Sequence, residues 1–291
     1  MPERDIREYH TPTNGIFFVP RRRLLSVQTP FQQMEIYETD SFGKVLLLDG
    51  LVQTTERDKF FYHEMLVHPA LTSHPKPDDV LIIGGGDGGA LREVLRHRVR
   101  RATLVEIDEA VIAACRRFLP RLAASFDDPR ASVRIADGHD FIRESADLFD
   151  VILVDSSDPV GPSAILHQRK FFAALKARLK PGGVIAAQAG SPVFHLDHLK
   201  RKAVFLKRLF RISAYYFGTV PTYPGGLWCY AFLSDRIDPM RPLPKKPPRG
   251  LKYFNESIHR AAFASPELMR AGTASRSAVQ RKRSQTNESH G

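Results

Sequence analysis

Ten residues, Val80-Leu81-Ile82-Ile83-Gly84-Gly85-Gly86-Asp87-Gly88-Gly89, leave this chain few folds to choose from. Four apolar residues, three of them β-branched, make a run too short for a helix and suited to a buried strand. Five of the next six residues are Gly, and Ala90-Leu91-Arg92-Glu93-Val94-Leu95 then reads as a helix. Gly84, Gly86 and Gly89 match G-x-G-x-x-G between a strand and a helix, the setting that gives the motif meaning. Without Cβ atoms the backbone can touch a nucleoside and aim its N–H groups from the helix N-terminus. Glu106 follows Gly86 by 20 residues, at the end of the apolar run Ala102-Thr103-Leu104-Val105. An acidic residue there can accept both ribose hydroxyls. The pattern fits a dinucleotide or an S-adenosyl ligand. Asp87 narrows the choice, because a carboxylate inside the loop repels a pyrophosphate or an α-carboxylate. It suits a nucleoside that carries a cationic amine.

From Val80 onward the rhythm is strand, helix, strand. Strands are expected at 80–83, 102–105, 132–136, 150–154 and 183–188, with helices near 88–97, 108–118, 138–145 and 168–179. That alternation calls for a parallel sheet covered on both faces, with ligands at the carboxyl ends of the strands. Asp87, Glu106, Asp137 and Asp155 all fall at or just beyond such ends. Four acidic groups around one crevice repel one another unless the ligand is cationic. After the turn Lys180-Pro181-Gly182-Gly183 come a helix at 196–209 and two last strands, 212–216 and 227–233.

Residues 1–57 are strand-rich. Alternation at 34–38 and the hairpin signals Asp40-Ser41-Phe42-Gly43 and Asp49-Gly50 predict a small antiparallel β-sheet domain, with Arg21-Arg22-Arg23 as a solvated loop. A helix over 58–72 opens the second domain, which extends to residue 270. His63 and His68 are five apart and do not share a helix face, so no metal site is expected. Residues 271–291 read as a disordered basic tail.

Of the net charge of +11, residues 1–235 contribute +3 and residues 236–291 contribute +8. A near-neutral body argues against nucleic acid as the main ligand. No apolar run approaches the ~20 residues that cross a bilayer, and Met1–Glu8 lacks the apolar core of a signal peptide. Cys115 and Cys229 are expected to be buried thiols, and the compartment to be the cytoplasm.

The most informative stretch after the glycine loop is 149–162. A buried strand ends in Asp155, and Ser156-Ser157-Asp158 leads into a loop stiffened by Pro159 and Pro162. Asp155 and Asp158, three apart in a turn, can face one side and hold an alkylammonium, one of them accepting its proton. Turn chemistry alone also explains such a pair. Asp137-Gly138 ends another strand and is either an adenine contact or a helix-entry turn.

The sequence resembles the spermidine synthase family of aminopropyltransferases. The matching stretches are 42–50, Tyr62-His63-Glu64-Met65, the glycine loop with 91–94, and Val105-Glu106-Ile107-Asp108. Further along come Asp137-Gly138, 155–162, Pro221-Thr222-Tyr223-Pro224-Gly225-Gly226 and His259-Arg260-Ala261-Ala262-Phe263. The glycine loop alone is shared with methyltransferases; D-S-S-D-P-x-G-P together with P-T-Y-P-x-G is specific.

The resemblance implies a Rossmann-like, methyltransferase-type domain preceded by the small β-sheet domain, in a cytosolic homodimer or homotetramer. It implies decarboxylated S-adenosylmethionine as co-substrate, with no prosthetic group, and putrescine as acceptor, giving spermidine and 5′-methylthioadenosine. Asp87 then holds the donor's ammonium, Glu106 the ribose and Asp137-Gly138 the adenine, with Gln32 and Pro162 lining the nucleoside pocket. Asp155 corresponds to the catalytic base. Tyr62, His63, Ser156, Ser157, Asp158 and Tyr223 line the polyamine channel. Leu166-His167 and Phe171-Phe172 depart from the family's usual Leu-Phe and Phe-Tyr, and bear on acceptor length. The alternatives are another acceptor (cadaverine, agmatine or spermidine), a polyamine N-methyltransferase, or a non-catalytic binding protein.

Overall fold

The structure, a computed structural model, describes residues 5–156, 166 and 168–270. Ser157, Asp158, Pro162 and the basic segment 271–291 therefore lie outside the described residues.

The N-terminal region holds two antiparallel sheets where the sequence predicts one. β1 (Ile6–Thr11) pairs with β2 (Asn14–Phe18), and β3 (Arg22–Gln28), β4 (Gln33–Thr39), β5 (Gly43–Leu48) and β6 (Leu51–Thr55) form a meander. Arg22 and Arg23 are not a loop. They open β3 opposite Glu38 and Tyr37, and Arg22 Nε meets Glu38 Oε2 at 2.8 Å. Cross-strand charge pairing lets an exposed strand carry cations that composition alone assigns to a turn.

α1 (Lys59–Ser73) follows. The sequence suggests one apolar face, yet every residue from Tyr62 to Ser73 is buried. Met34, Ile36 and Leu46 of the meander share a core with Met65, Leu66 and Ala70, and the chain's last segment closes over Glu64. That carboxylate accepts the N–H groups of Lys252, Tyr253 and Phe254, each at 2.9 Å, which explains how a charge sits inside a buried helix.

The second domain then alternates: β7 (Asp79–Gly84), α2 (Gly89–Val94), β8 (Arg101–Glu106), α3 (Glu109–Phe118), a short α4 (Pro120–Ala123), β9 (Ala131–Ile135), α5 (Gly138–Glu144), β10 (Phe149–Asp155), α6 (Arg169–Ala177), β11 (Leu179–Gly190), α7 (Leu196–Leu209), β12 (Ile212–Thr219), β13 (Leu227–Ser234), α8 (Glu256–Ala262) and α9 (Glu267–Arg270). The seven strands lie in the order β12-β13-β11-β10-β7-β8-β9. Six run in one direction and only β13 opposes them, pairing antiparallel with both β11 and β12. The predicted turn at 180–183 is absorbed into the start of β11, with Gly182 at φ +87°.

Strand alternation divides the core. Val80, Ile82, Val151 and Leu153 pack beneath α1 and α2, while Leu81, Ile83, Ile152 and Val154 pack against α5, α6 and α7. The chain leaves β7 toward β8 and returns as β10 on β7's other side, so a crevice opens between the carboxyl ends of β7 and β10. Cys115 and Cys229 are both buried free thiols. No helix among the described residues is long and apolar enough to cross a membrane.

Candidate active site

The glycine loop caps that crevice. Gly84 stands opposite Asp155 in the ladder, at φ +82°, where a Cβ would strike the Asp155 carbonyl. Gly89 opens α2 against the imidazole of His63, which leaves no room for a side chain. Both glycines serve close approach between β7–α2, β10 and α1.

Glu106, Gln32 and Asp137 line one end of the cleft. Glu106 Oε2 accepts the Gly86 N–H and Oε1 the Asp108 N–H, each at 3.0 Å. Burial pushes the Glu106 carboxyl up to about 7, although those two N–H groups pull the other way. Asp137 caps α5, its Oδ1 accepting the N–H groups of His139 and Asp140, so the helix-entry reading holds for it as well. Gln32 arrives from the meander and donates through Nε2 to Asp108 Oδ2 at 3.0 Å. Asp108 also takes the Thr29 hydroxyl at 2.7 Å and caps α3. Asp108 lies in a stretch that matches the family, and the resemblance gives it no role. Its signal was a helix N-cap two residues after the strand-end Glu106.

The other end gathers Tyr62, His63, Asp87, Asp155, Ser156 and Tyr223. Asp87 Oδ1 accepts the Gly89 N–H at 2.8 Å, and Oδ2 lies 3.2 Å from His63 Nε2. Burial alone would raise Asp87, but His63 and the Gly89 N–H more than offset it and hold the carboxyl below its usual range. Asp155 behaves differently. Burial pushes it up to about 6, with Asp87 adding to the rise while His63 and the Tyr62 hydroxyl oppose it. Tyr62 Oη donates to Asp155 Oδ1 at 2.6 Å. Two carboxylates in one cleft thus differ in proton affinity because one faces imidazole and a backbone N–H, the other phenol. One oxygen or nitrogen from each of His63, Asp87 and Asp155 lies within 4.8 Å of the others, a donor set able to hold a cation.

Asp58 takes hydroxyl protons from Thr55 at 2.6 Å and Thr222 at 2.7 Å, tying the 221–224 loop to the start of α1. Tyr223 Oη, delivered by that loop, donates to the Gln53 carbonyl at 2.5 Å. Glu8 was not anticipated, because β1 itself was not. Ile6 and Glu8 point inward together, and Glu8 Oε2 accepts the Val52 N–H at 2.8 Å at the cleft wall. Leu166 lines the cleft, His167 lies outside the described residues, and Phe171 and Phe172 turn from α6 into the core.

The mostly parallel seven-stranded sheet has a methyltransferase-like layout, and its strand ends present a buried acidic cleft of the kind in which such folds bind ligands. A spermine/spermidine synthase domain model matches residues 59–241 and a spermidine synthase tetramerisation domain model matches residues 6–56. The polyamine aminopropyltransferase of Leptospira biflexa serovar Patoc is 46% identical over 249 residues, 84% of this chain and 89% of that protein. The Moorella thermoacetica polyamine aminopropyltransferase is 40% identical over 264 residues, 90% and 93% of the two chains. Crystal structures of spermidine synthase from Thermotoga maritima and of spermidine synthase with the transition-state analogue AdoDATO superpose with TM-scores of 0.85 and 0.86. Both share 40% identity and cover 93% of this chain, and 94% and 95% of theirs. The chain belongs to the spermine/spermidine synthase family and is an aminopropyltransferase.

Proposed function

We propose that the enzyme transfers the aminopropyl group of decarboxylated S-adenosylmethionine to putrescine, releasing spermidine and 5′-methylthioadenosine. The observation that carries this reading is the buried Asp87–His63–Asp155 cluster, set in one cleft with Glu106, Gln32 and Asp137. Asp87 would hold the donor's terminal ammonium and disfavour a donor that keeps its carboxylate, which argues against methyl transfer. Glu106 would accept from the ribose, Gln32 would flank it, and Asp137-Gly138 would meet the adenine.

Asp155 would take a proton from the acceptor nitrogen, whose lone pair then attacks the aminopropyl carbon bonded to sulfur. The carbon–sulfur bond breaks and the sulfonium leaves as a neutral thioether, so the leaving group needs no acid. Alignment and deprotonation are the enzyme's share of the work. Tyr62, His63, Ser156 and Tyr223 line the acceptor side, where Glu8 adds negative charge. A short diamine with two ammonium groups suits that wall, and Ser157 and Asp158 belong to the same reading by family resemblance.

Assembly into a homodimer or homotetramer would use residues 6–56, where Tyr9, Phe17 and Val19 are each more than three-fifths exposed. Two buried thiols suit a reducing cytoplasm. Incubation with either the decarboxylated or the intact donor and a panel of amines, with products weighed by mass spectrometry, tests the reading. Spermidine formed only from the decarboxylated donor and putrescine supports it; methylated amines, or a preference for cadaverine, agmatine or spermidine, would replace it.

A further inference from the structure

The oxygen of Asp87 that would receive the donor is already engaged. Oδ1 is taken by the Gly89 N–H, and Oδ2 faces His63 Nε2 at 3.2 Å. Both side chains are almost shut off from solvent, at 5% exposure for His63 and 11% for Asp87, so water does little to screen them. Around the imidazole stand Asp87 from the β7–α2 loop, Asp155 from β10, Glu93 from α2 and Tyr62 beside it on α1; Lys59, earlier on α1, faces Asp87. Burial by itself would lower the His63 pKa, but the facing carboxylates, Asp87 first and then Asp155 and Glu93, more than reverse this and raise it. The ring therefore holds a proton more readily than a free imidazole, with its Nε2 set 3.2 Å from Asp87 Oδ2.

A donor ammonium brought to the same carboxylate makes two cations on one anion in a dry cleft. Asp155 is not the carboxylate that His63 Nε2 faces, and its Oδ1 already accepts from the Tyr62 hydroxyl at 2.6 Å. We propose that His63 is the resting counter-cation of Asp87, and that the donor's ammonium displaces its proton to solvent as the donor binds. The neutral Nε2 left behind can accept a hydrogen from that same ammonium, so the imidazole changes from competitor to partner. Donor binding then tightens with rising pH until the ring is neutral in the free enzyme.

This inference rests on the donor assignment above. It is tested by calorimetry at pH 7 in buffers of different ionisation enthalpy, without acceptor, comparing decarboxylated S-adenosylmethionine with 5′-methylthioadenosine. The nucleoside lacks the aminopropyl ammonium, so contributions from Glu106 cancel in the difference. Asp155, at about 6, is already mostly ionised at that pH. The decarboxylated donor should release up to about one proton more than methylthioadenosine, and the ratio of its affinity to methylthioadenosine's should rise up to about tenfold per pH unit below neutrality. His63→Gln should abolish the extra proton and make that ratio independent of pH, leaving the slope that Glu106 gives both ligands. Equal proton release by the two ligands in the wild-type enzyme overturns the inference while leaving the donor assignment standing. Failure of the decarboxylated donor to bind, with methylthioadenosine still binding, overturns both.

Discussion

Gln32 Nε2 donates to Asp108 Oδ2 across the seam between the N-terminal meander and the seven-stranded sheet. A carboxylate can only accept, so the Gln32 amide must turn its NH2 to Asp108 and keep its carbonyl for a hydroxyl donor. The backbone N–H of Asp108 donates to Glu106 Oε1 at 3.0 Å. Asp108 is therefore a positioning residue for two acceptors at the nucleoside end. Asp108→Asn should weaken 5′-methylthioadenosine binding by about 1–2 kcal/mol, the scale of a buried charged hydrogen bond. Turnover at saturating donor should stay near wild type. Calorimetry with steady-state kinetics separates the two effects.

Asp155→Asn keeps the shape of the strand end and removes the base. Turnover should fall by roughly 10²–10⁴-fold, the usual worth of a positioned base, with donor affinity nearly unchanged. In the wild type the base is protonated below about pH 6, so turnover should decline on the acid side of that value. The variant should lose this limb and regain rate at high pH, where the acceptor amine is already neutral. Single-turnover rates across pH read both features.

Glu106 must be ionised to accept from two ribose hydroxyls, yet in the free protein burial pushes it up to about 7. Below that pH, ligand binding has to expel a proton from the carboxyl. Methylthioadenosine affinity should therefore fall by up to about tenfold per unit as pH drops below 7, and level off above it. A Glu106→Gln variant should bind weakly at every pH. Titrations over pH 5.5–8.5 check the slope.

Glu64→Ala removes the acceptor of three N–H groups, of which that of Phe254 is buried and those of Lys252 and Tyr253 are part-buried. The loss should cost about 1–3 kcal/mol of stability, the scale of one buried donor left unsatisfied. Chemical denaturation measures the loss.

The strand ends were legible because two periods meet there. Val80–Ile83 and Phe149–Val154 are too apolar and β-branched to be anything but buried strands, so Gly84, Asp87 and Asp155 had to emerge at their carboxyl ends. Glu106 and Asp137 followed from the same rhythm. Less local facts were hidden. Nothing near Thr222 announces that Asp58, 164 residues earlier, holds it, and nothing near Tyr37 announces that Arg23 is its ladder partner. Glu8 looked like one more polar residue in a charged N-terminal stretch, because a two-stranded hairpin whose β2 is mostly exposed carries a weak alternation signal. The antiparallel β13 was unreadable for a related reason. Buried on both faces, it has the composition of a parallel strand, and only the ladder shows its direction.

Tyr62, His63 and Glu64 are consecutive on α1, two turned to the cleft and the third to the backbone of residues 252–254. A ribosome makes these three together, but the backbone that satisfies Glu64 is translated 188 to 190 residues later. Every strand of the seven-stranded sheet ends before residue 235, so the helix that carries two of the cleft's side chains takes one of its anchors from backbone that lies beyond the sheet altogether.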